Sequence, residues 1–442
     1  MAEDFNLDYV TEMGSAFFQM TPQAGLSGYI GGRLMIREEE TFIDVTEGSG
    51  LETITNVHCP LFFDLDGDID DDLFVAGNHT AQVGRLFRNN GDSTFVDISD
   101  NTNEGGFPLC QGAAIGDIDN DGDFDLYLTF ATGYNSMWEN DGTGFFTNIT
   151  ELSHTGVAGF TRGVCFGDFD HDTDLDLFLN RAQDYNVLFL NNGHGVFTDI
   201  SEEAGVVDNL NGIGCATGDL DNDGQLDIVA VNCDFQRNLV YINENEDTSF
   251  LKIRMVGTPK NSLALGSIID LFGVSEDDLD TVRIGKREVQ SHTGMFSVND
   301  PIAHFGTGEF QNLIVKATFQ SLDEVTLYDI WPGQTISIYE RPTDIADSDP
   351  SLPDRMTLAT YPNPFNSAIN IAVTGGTRPG YELAIYDMLG RLVNSDLIYE
   401  TDNLNYTWDG LNNSGQPAPS GIYCLRVRNG EFAAEKKITL VK

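Results

Sequence analysis

Asp117, Asp119, Asp121 and Asp125 stand at positions 1, 3, 5 and 9 of one short loop, with Gly122 at position 6. The surrounding stretch reads GDIDNDGDFDLYLTF, so the charge gives way at once to an apolar, strand-like run. Carboxylates this close repel one another, and the cost grows as water is excluded. Alternate spacing over the first five residues lets three side chains point into one concavity as the backbone curls. The glycine permits the tight turn, a carbonyl near position 7 can turn inward, and the Asp at position 9 closes the cage. Several hard, charged oxygen ligands in a flexible loop select Ca²⁺ over Mg²⁺. Transition metals would want His or Cys, which these loops lack except for His171 at a non-ligand position.

The pattern recurs four times. Asp64, Asp66, Asp68 and Asp72 form one copy, Asp168, Asp170, Asp172 and Asp176 another, and Asp219, Asp221, Asp223 and Asp227 the last. Up to four Ca²⁺ ions are therefore expected. The last copy keeps Gly224 at position 6, whereas the other two carry Ile69 and Thr173 there, with Gly67 two places early. Those two loops are expected to bind more weakly or to have a distorted turn. An EF-hand begins the same way but needs Glu at position 12 and flanking helices. Position 12 here is Val75, Leu128, Leu179 or Ala230, which rules that motif out. Solvated turn tips would account for one such loop, but not for four in register. On this reading calcium is structural, and its removal lowers stability.

Each loop must be launched by strands. The Asp-rich elements FFDLDGDIDDDLFVA, IGDIDNDGDFDLYLTF, FGDFDHDTDLDLFLN and TGDLDNDGQLDIVAV are each followed by a hairpin signal: RLFRNNGDSTFVDIS, SMWENDGTGFFTNIT, VLFLNNGHGVFTDIS and LVYINENEDTSFLKI. A degenerate copy, RLMIREEETFIDVT, precedes the first loop. Four short strands at a period near ~50 residues fit propeller blades, since one such sheet cannot bury both faces alone. The expected fold is all-β: a propeller of about five blade equivalents over residues 1–255, with later strands available to complete the ring. Residues 256–341 read as a further β-rich module, 342–355 as a Pro/Asp/Ser linker, and 356–442 as a small immunoglobulin-like β-sandwich of about seven strands.

Composition excludes several classes. Seventy acidic against 23 basic residues give a formal charge of −47, a surface that repels nucleic acid and anionic membranes. No apolar run is long enough for a transmembrane helix. The six cysteines show no CxxC spacing and read as small buried hydrophobes, with a Cys215–Cys233 hairpin disulfide as the alternative.

The D-x-D-x-D-G-x-x-D loop preceded by F/G-G-D resembles the FG-GAP (integrin-α-like, or VCBS) propeller repeat. MVGTPKNSLALGS, REVQSHTGMFSVNDPIAHFGTGE and YDIWPGQ resemble the ASPIC/UnbV module of the cartilage acidic protein family, with His304-Phe305-Gly306-Thr307-Gly308 and Trp331-Pro332-Gly333 as drifted signatures. YPNPFNSAINI, YELAIYDMLGRLV, WDGLNNSGQPAPSGIYCLRV and KKITLVK resemble the sorting domain of type IX secretion substrates. That resemblance implies a secreted or cell-surface bacterial protein that engages the type IX machinery. The opening residues lack a basic n-region and an apolar h-region, so a signal peptide is expected upstream of Met1.

The functional expectation is a non-catalytic, calcium-binding extracellular protein for adhesion or for binding a carbohydrate or protein ligand. A structural homopolymer, a fibre or sheath built by self-association, is the alternative. A secreted hydrolase ranks lower: no G-x-S-x-G, H-E-x-x-H or P-loop pattern occurs, and the carboxylates are better explained by calcium. Among the scattered histidines only His304 invites attention, with a structural hydrogen bond favoured over catalysis.

Overall fold

The computed structural model of the protein describes residues 16–22, 29–38, 41–54, 57–77, 83–245, 247–258, 261–275, 281–290, 294, 297–340, 357–366, 368–374, 381–387, 391–398, 403–412, 416–429 and 432–441. The linker expected at 342–355 lies outside them. The chain divides into two compact units, Met1–Pro342 and Thr343–Lys442. Both are built from strands, and the α-helix among the described residues is a single turn, Thr150–Ser153.

The first unit opens on a three-stranded sheet, Ala16–Pro22, Tyr29–Glu38 and Thr41–Asp44. Three four-stranded antiparallel sheets follow, each with its strands in sequence order. The first repeat holds Val57–Phe63, Asp72–Gly77, Arg85–Asn89 and Phe95–Asp97. The second holds Gly112–Gly116, Asp125–Thr129, Ser136–Asn140 and Phe146–Asn148, and the third Phe160–Gly167, Asp176–Ala182, Val187–Asn191 and Phe197–Asp199. The second strand of each is buried along its whole length, with neighbours on both faces. That is why DLFVAG, DLYLT and DLFLNRA read as apolar runs and not as alternating ones. Successive repeats pack through their first strands: Cys59 and Leu61 share a cluster with Ala113 and Ile115, and Ala114 shares one with Val164 and Phe166.

The fourth repeat departs from the expected pattern. It keeps Gly212–Gly218, Asp227–Asn232 and Leu239–Tyr241, but the strand expected to close its hairpin does not pair there. Phe250–Val256 runs antiparallel to Ile302–Gly306 and parallel to Gln334–Tyr339. Short alternating runs specify a strand but not its partner. A second sheet, Thr281–Glu288, Ile268–Val274, Leu313–Thr318 and Glu324–Ile330, packs on this one over a core that includes Leu251, Ile253, Leu271, Phe305 and Val315. The strands after residue 250 therefore make a two-layer module of their own. The Cys215–Cys233 disulfide does not form. Cys215 is buried across from Ala230 in its sheet, and the Cys233 sulfur faces the Arg162 guanidinium at 3.9 Å.

Among the described residues the second unit is a sandwich of seven strands. Thr357–Tyr361, Ile369–Thr374 and Asn403–Trp408 form one sheet. Leu392–Ile398, Tyr381–Asp387, Gly421–Asn429 and Phe432–Leu440 form the other. Alternate residues of both, among them Ile369, Ile371, Leu383, Ile385, Leu425 and Ile438, meet in one core around Trp408.

Candidate metal centres

Each Asp-rich loop spans the gap between the first and second strands of a repeat, and strand register brings its two ends together. Position 9 opens the second strand and lies opposite the last residue of the first: Phe63 with Asp72, Gly116 with Asp125, Gly167 with Asp176 and Gly218 with Asp227. The position-9 carboxylate is also a strut. One oxygen accepts the N–H of position 2 at 2.8–3.1 Å: Leu65, Ile118, Phe169 and Leu220. The other accepts the N–H of an asparagine in the hairpin: Asn89, Asn140, Asn191 and Asn243. Three of these asparagines then reach into the preceding repeat. Asn140, Asn191 and Asn243 donate their amides to the carbonyls of Leu65, Ile118 and Phe169, at 3.0, 2.7 and 2.8 Å. The loops are thus stapled from repeat to repeat.

The loops share a backbone path that sequence inspection read only in part. Position 4 has positive φ in all four: Gly67 (80°), Asn120 (61°), His171 (65°) and Asn222 (64°). Position 6 does too: Ile69 (74°), Gly122 (102°), Thr173 (89°) and Gly224 (102°). Gly67 is therefore in place and not displaced, and the turn survives where glycine is missing. A β-branched residue in the left-handed region is strained. Thr173→Gly is expected to stabilise the protein by about 1 kcal/mol, measured by denaturant unfolding. A destabilised variant would show that the threonine's contacts outweigh its backbone strain.

Ligand-capable carboxylate oxygens lie within 4.8 Å of one another in each loop: Asp64, Asp66 and Asp72; Asp117, Asp119 and Asp121; Asp168, Asp170 and Asp176; Asp219, Asp221 and Asp227. The fold thus gathers three of the four expected side chains per loop, leaving Asp68, Asp125, Asp172 and Asp223 outside these clusters. These clusters, largely buried in the first and third loops and partly exposed in the second and fourth, can hold metal ions. The test of fit is whether the chain already satisfies them, and in two loops it does not. Asp117 is fully buried, and neither of its oxygens has a hydrogen-bond partner. Asp64 is 2% exposed, and its Oδ2 is likewise unpartnered. Burial pushes the carboxyls up: Asp117 to about 7, Asp72 and Asp168 to about 8, and Asp125 and Asp176 well above the usual range. Neighbouring carboxylates add to this at Asp117 and Asp168. A cation in each of these three loops would remove that penalty at neutral pH.

Sequence inspection missed two further sets of residues. Asp123, at position 7, is pushed up to about 7 by burial and then by Asp121, and its Oδ1 is buried without a partner. The other set comes from the module after residue 250, which is seated on all four loops. Glu288 accepts the Asp64 N–H at 3.1 Å, and Lys286 donates to the Gly122 carbonyl at 2.9 Å. The Gly306 N–H donates to Asp168 Oδ2 at 2.9 Å, where any side chain on residue 306 would collide with that carboxylate. His304 Nε2 meets the Gly224 carbonyl at 2.8 Å, the structural hydrogen bond expected of it. Lys252 is ion-paired with Asp219. The signal was available in FLKIR, GKRE and HFG, where basic groups interrupt alternating apolar strands, but it names no partner. Between module and repeats lies a cavity of about 150 Å³, bordered by Gly116, Gly167 and Gly218.

These features define a protein of tandem acidic-loop β-repeats joined to a C-terminal β-sandwich. The FG-GAP-like repeat family matches residues 64–128, 117–179 and 174–230, and the secretion system C-terminal sorting domain matches residues 359–441. The chain therefore carries FG-GAP-like repeats and a type IX secretion sorting domain, which places it among proteins secreted or held at the outer surface of a bacterium. Its curated relatives include cartilage acidic protein 1 of Homo sapiens, 26% identical over 257 residues, covering 53% of this chain and 36% of that protein. The Xenopus tropicalis protein is 25% identical over 261 residues, covering 53% and 37%. This chain spans little more than a third of their length. The likeness supports the family resemblance read from the module's motifs. Among solved structures, PorZ, a bacterial surface component of the type-IX secretion system of Porphyromonas gingivalis, aligns at 11% identity. That alignment covers 96% of this chain and 65% of PorZ, with a TM-score of 0.27.

Proposed function

We propose that this chain is a non-catalytic, calcium-stabilised surface protein that binds an extracellular carbohydrate or protein ligand. The observation that carries the calcium reading is Asp117: a carboxylate out of contact with water, with neither oxygen satisfied, six residues before the unpartnered, buried Asp123 Oδ1. Buried charge without a partner is retained only where something else supplies the counter-charge. Oxygen-only donors in a bent loop suit calcium. The sorting domain supports export and engagement of the type IX machinery. Loops exposed on a rigid scaffold suit ligand binding. On this account calcium holds the scaffold, and the ligand is met elsewhere on its surface.

Glycan-array binding in calcium, with light scattering of the same sample, tests the ligand reading. Saturable binding to defined glycans by a monodisperse protein is the expected outcome. Calcium-dependent growth of large particles without glycan binding would instead show a self-assembling subunit.

A further inference from the structure

We infer that the ammonium of Lys252, and not a metal ion, is the counter-charge of the fourth loop. The inference rests on the calcium reading of the other three loops and sets this one apart from them. By sequence the fourth loop is among the most complete of the series, with all four aspartates and Gly224. Its first aspartate is nevertheless saturated. Asp219 Oδ1 accepts the Asp223 N–H at 3.1 Å, and Oδ2 accepts the Gly224 N–H at 3.0 Å together with the Lys252 ammonium. Both side chains of this ion pair are largely buried, 14% and 4% exposed. Asp64 and Asp117 carry unpartnered oxygens, while Asp168 is saturated by the N–H groups of His171, Thr173 and Gly306. What sets Asp219 apart is the ion pair: among the described residues none of the other three is ion-paired to a lysine or arginine, and Lys286 and Arg287 act on them only from beyond ion-pair distance.

Lys252 is held there by the feature that breaks the repeat. Phe250–Val256 leaves the fourth hairpin and pairs on both edges within the module, which fixes the position of residue 252. The ammonium lies 5.7 Å from the centroid of the Phe250 ring, and that ring stacks on His304 at 6.1 Å and 15°. Phe250 occupies the space a side chain at Gly224 would need, and His304 takes the Gly224 carbonyl. Asp221 and Asp223 are left exposed to water. A divalent ion placed among Asp219, Asp221 and Asp227 would share Asp219 with a fixed like charge, which low local dielectric makes more costly. The fourth loop therefore joins repeat and module without metal, while the first three loops respond to it.

Native mass spectrometry of the whole chain in calcium, with magnesium present as competitor, counts the ions bound by wild type, Asp221→Asn and Lys252→Met. Asp221→Asn is expected to bind as many ions as wild type, and Lys252→Met one more. In chelator, Lys252→Met is expected to melt below wild type and to recover when calcium is added. An ion lost in Asp221→Asn, or no ion gained and no recovery in folded Lys252→Met, would overturn the assignment. If Lys252→Met does not fold, the Asp221→Asn count alone decides. No ions in wild type but one in Lys252→Met would leave Lys252 as assigned and remove the calcium reading of the other loops. No ions in either would overturn both.

Discussion

Stripping calcium from the intact protein is expected to destabilise it, and to reverse the sign of its response to acid. An ion that binds only the folded state contributes about 2.7 kcal/mol per site when its free concentration is a hundredfold above Kd. Several occupied loops therefore rival the whole stability of an ordinary domain, about 5–15 kcal/mol. The pH effect follows from the buried carboxyls. In the metal-free protein Asp117, Asp72 and Asp168 are pushed up to about 7, 8 and 8, chiefly by burial, against about 3.9 in an unfolded chain. The folded state then binds more protons than the unfolded one between about pH 4 and 8, so metal-free stability falls as pH rises through that window. With calcium bound the same carboxylates must be deprotonated, and acid removes stability instead. Melting temperatures measured at pH 5 and 8 should rise with pH in calcium and fall with pH in chelator, the two converging toward acid. Parallel responses would contradict the cage reading.

The second large effect is expected at the staple between repeats. Asn191 is 6% exposed, and its amide donates to the Ile118 carbonyl of the preceding loop at 2.7 Å and to Leu175 in its own loop at 3.2 Å. Asn191→Ala orphans both acceptors, each costing about 1–3 kcal/mol when buried, so the loss should amount to several kcal/mol. The adjacent Asn192 is exposed and serves its own turn, accepting the His194 N–H at 3.1 Å. Asn192→Ala should stay within about 0.5 kcal/mol of wild type. Equal effects at the two positions would mean that the inter-repeat bond carries no weight.

These two expectations differ in how visible they were beforehand. The cage spacing was legible in part: positions 1 and 3 meet in all four loops, joined by position 9 in three of them, where register returns it to the start of the loop, and by position 5 only in the second. The asparagines were visible only as turn formers, since their partners lie 73–75 residues away. Gly67 looked displaced because the loop was read with one left-handed position when it has two. The Phe250–Val256 strand was legible as a strand, but its partners lay 48 or more residues downstream. Hence the ranking of the loops changed. Turn glycines made the fourth appear complete, while the contact that distinguishes it, Lys252 on Asp219, spans 33 residues and two layers of the fold. Local pattern fixes loop geometry, and long-range pairing decides what faces it.

Calorimetric titration of the chelator-treated protein with calcium tests the central claim most directly, run beside Asp117→Asn and a magnesium control. The account predicts saturable calcium binding at several sites, one site fewer in Asp117→Asn, and no comparable binding of magnesium. No calcium binding by the wild type, or an unchanged number of sites in Asp117→Asn, would contradict it.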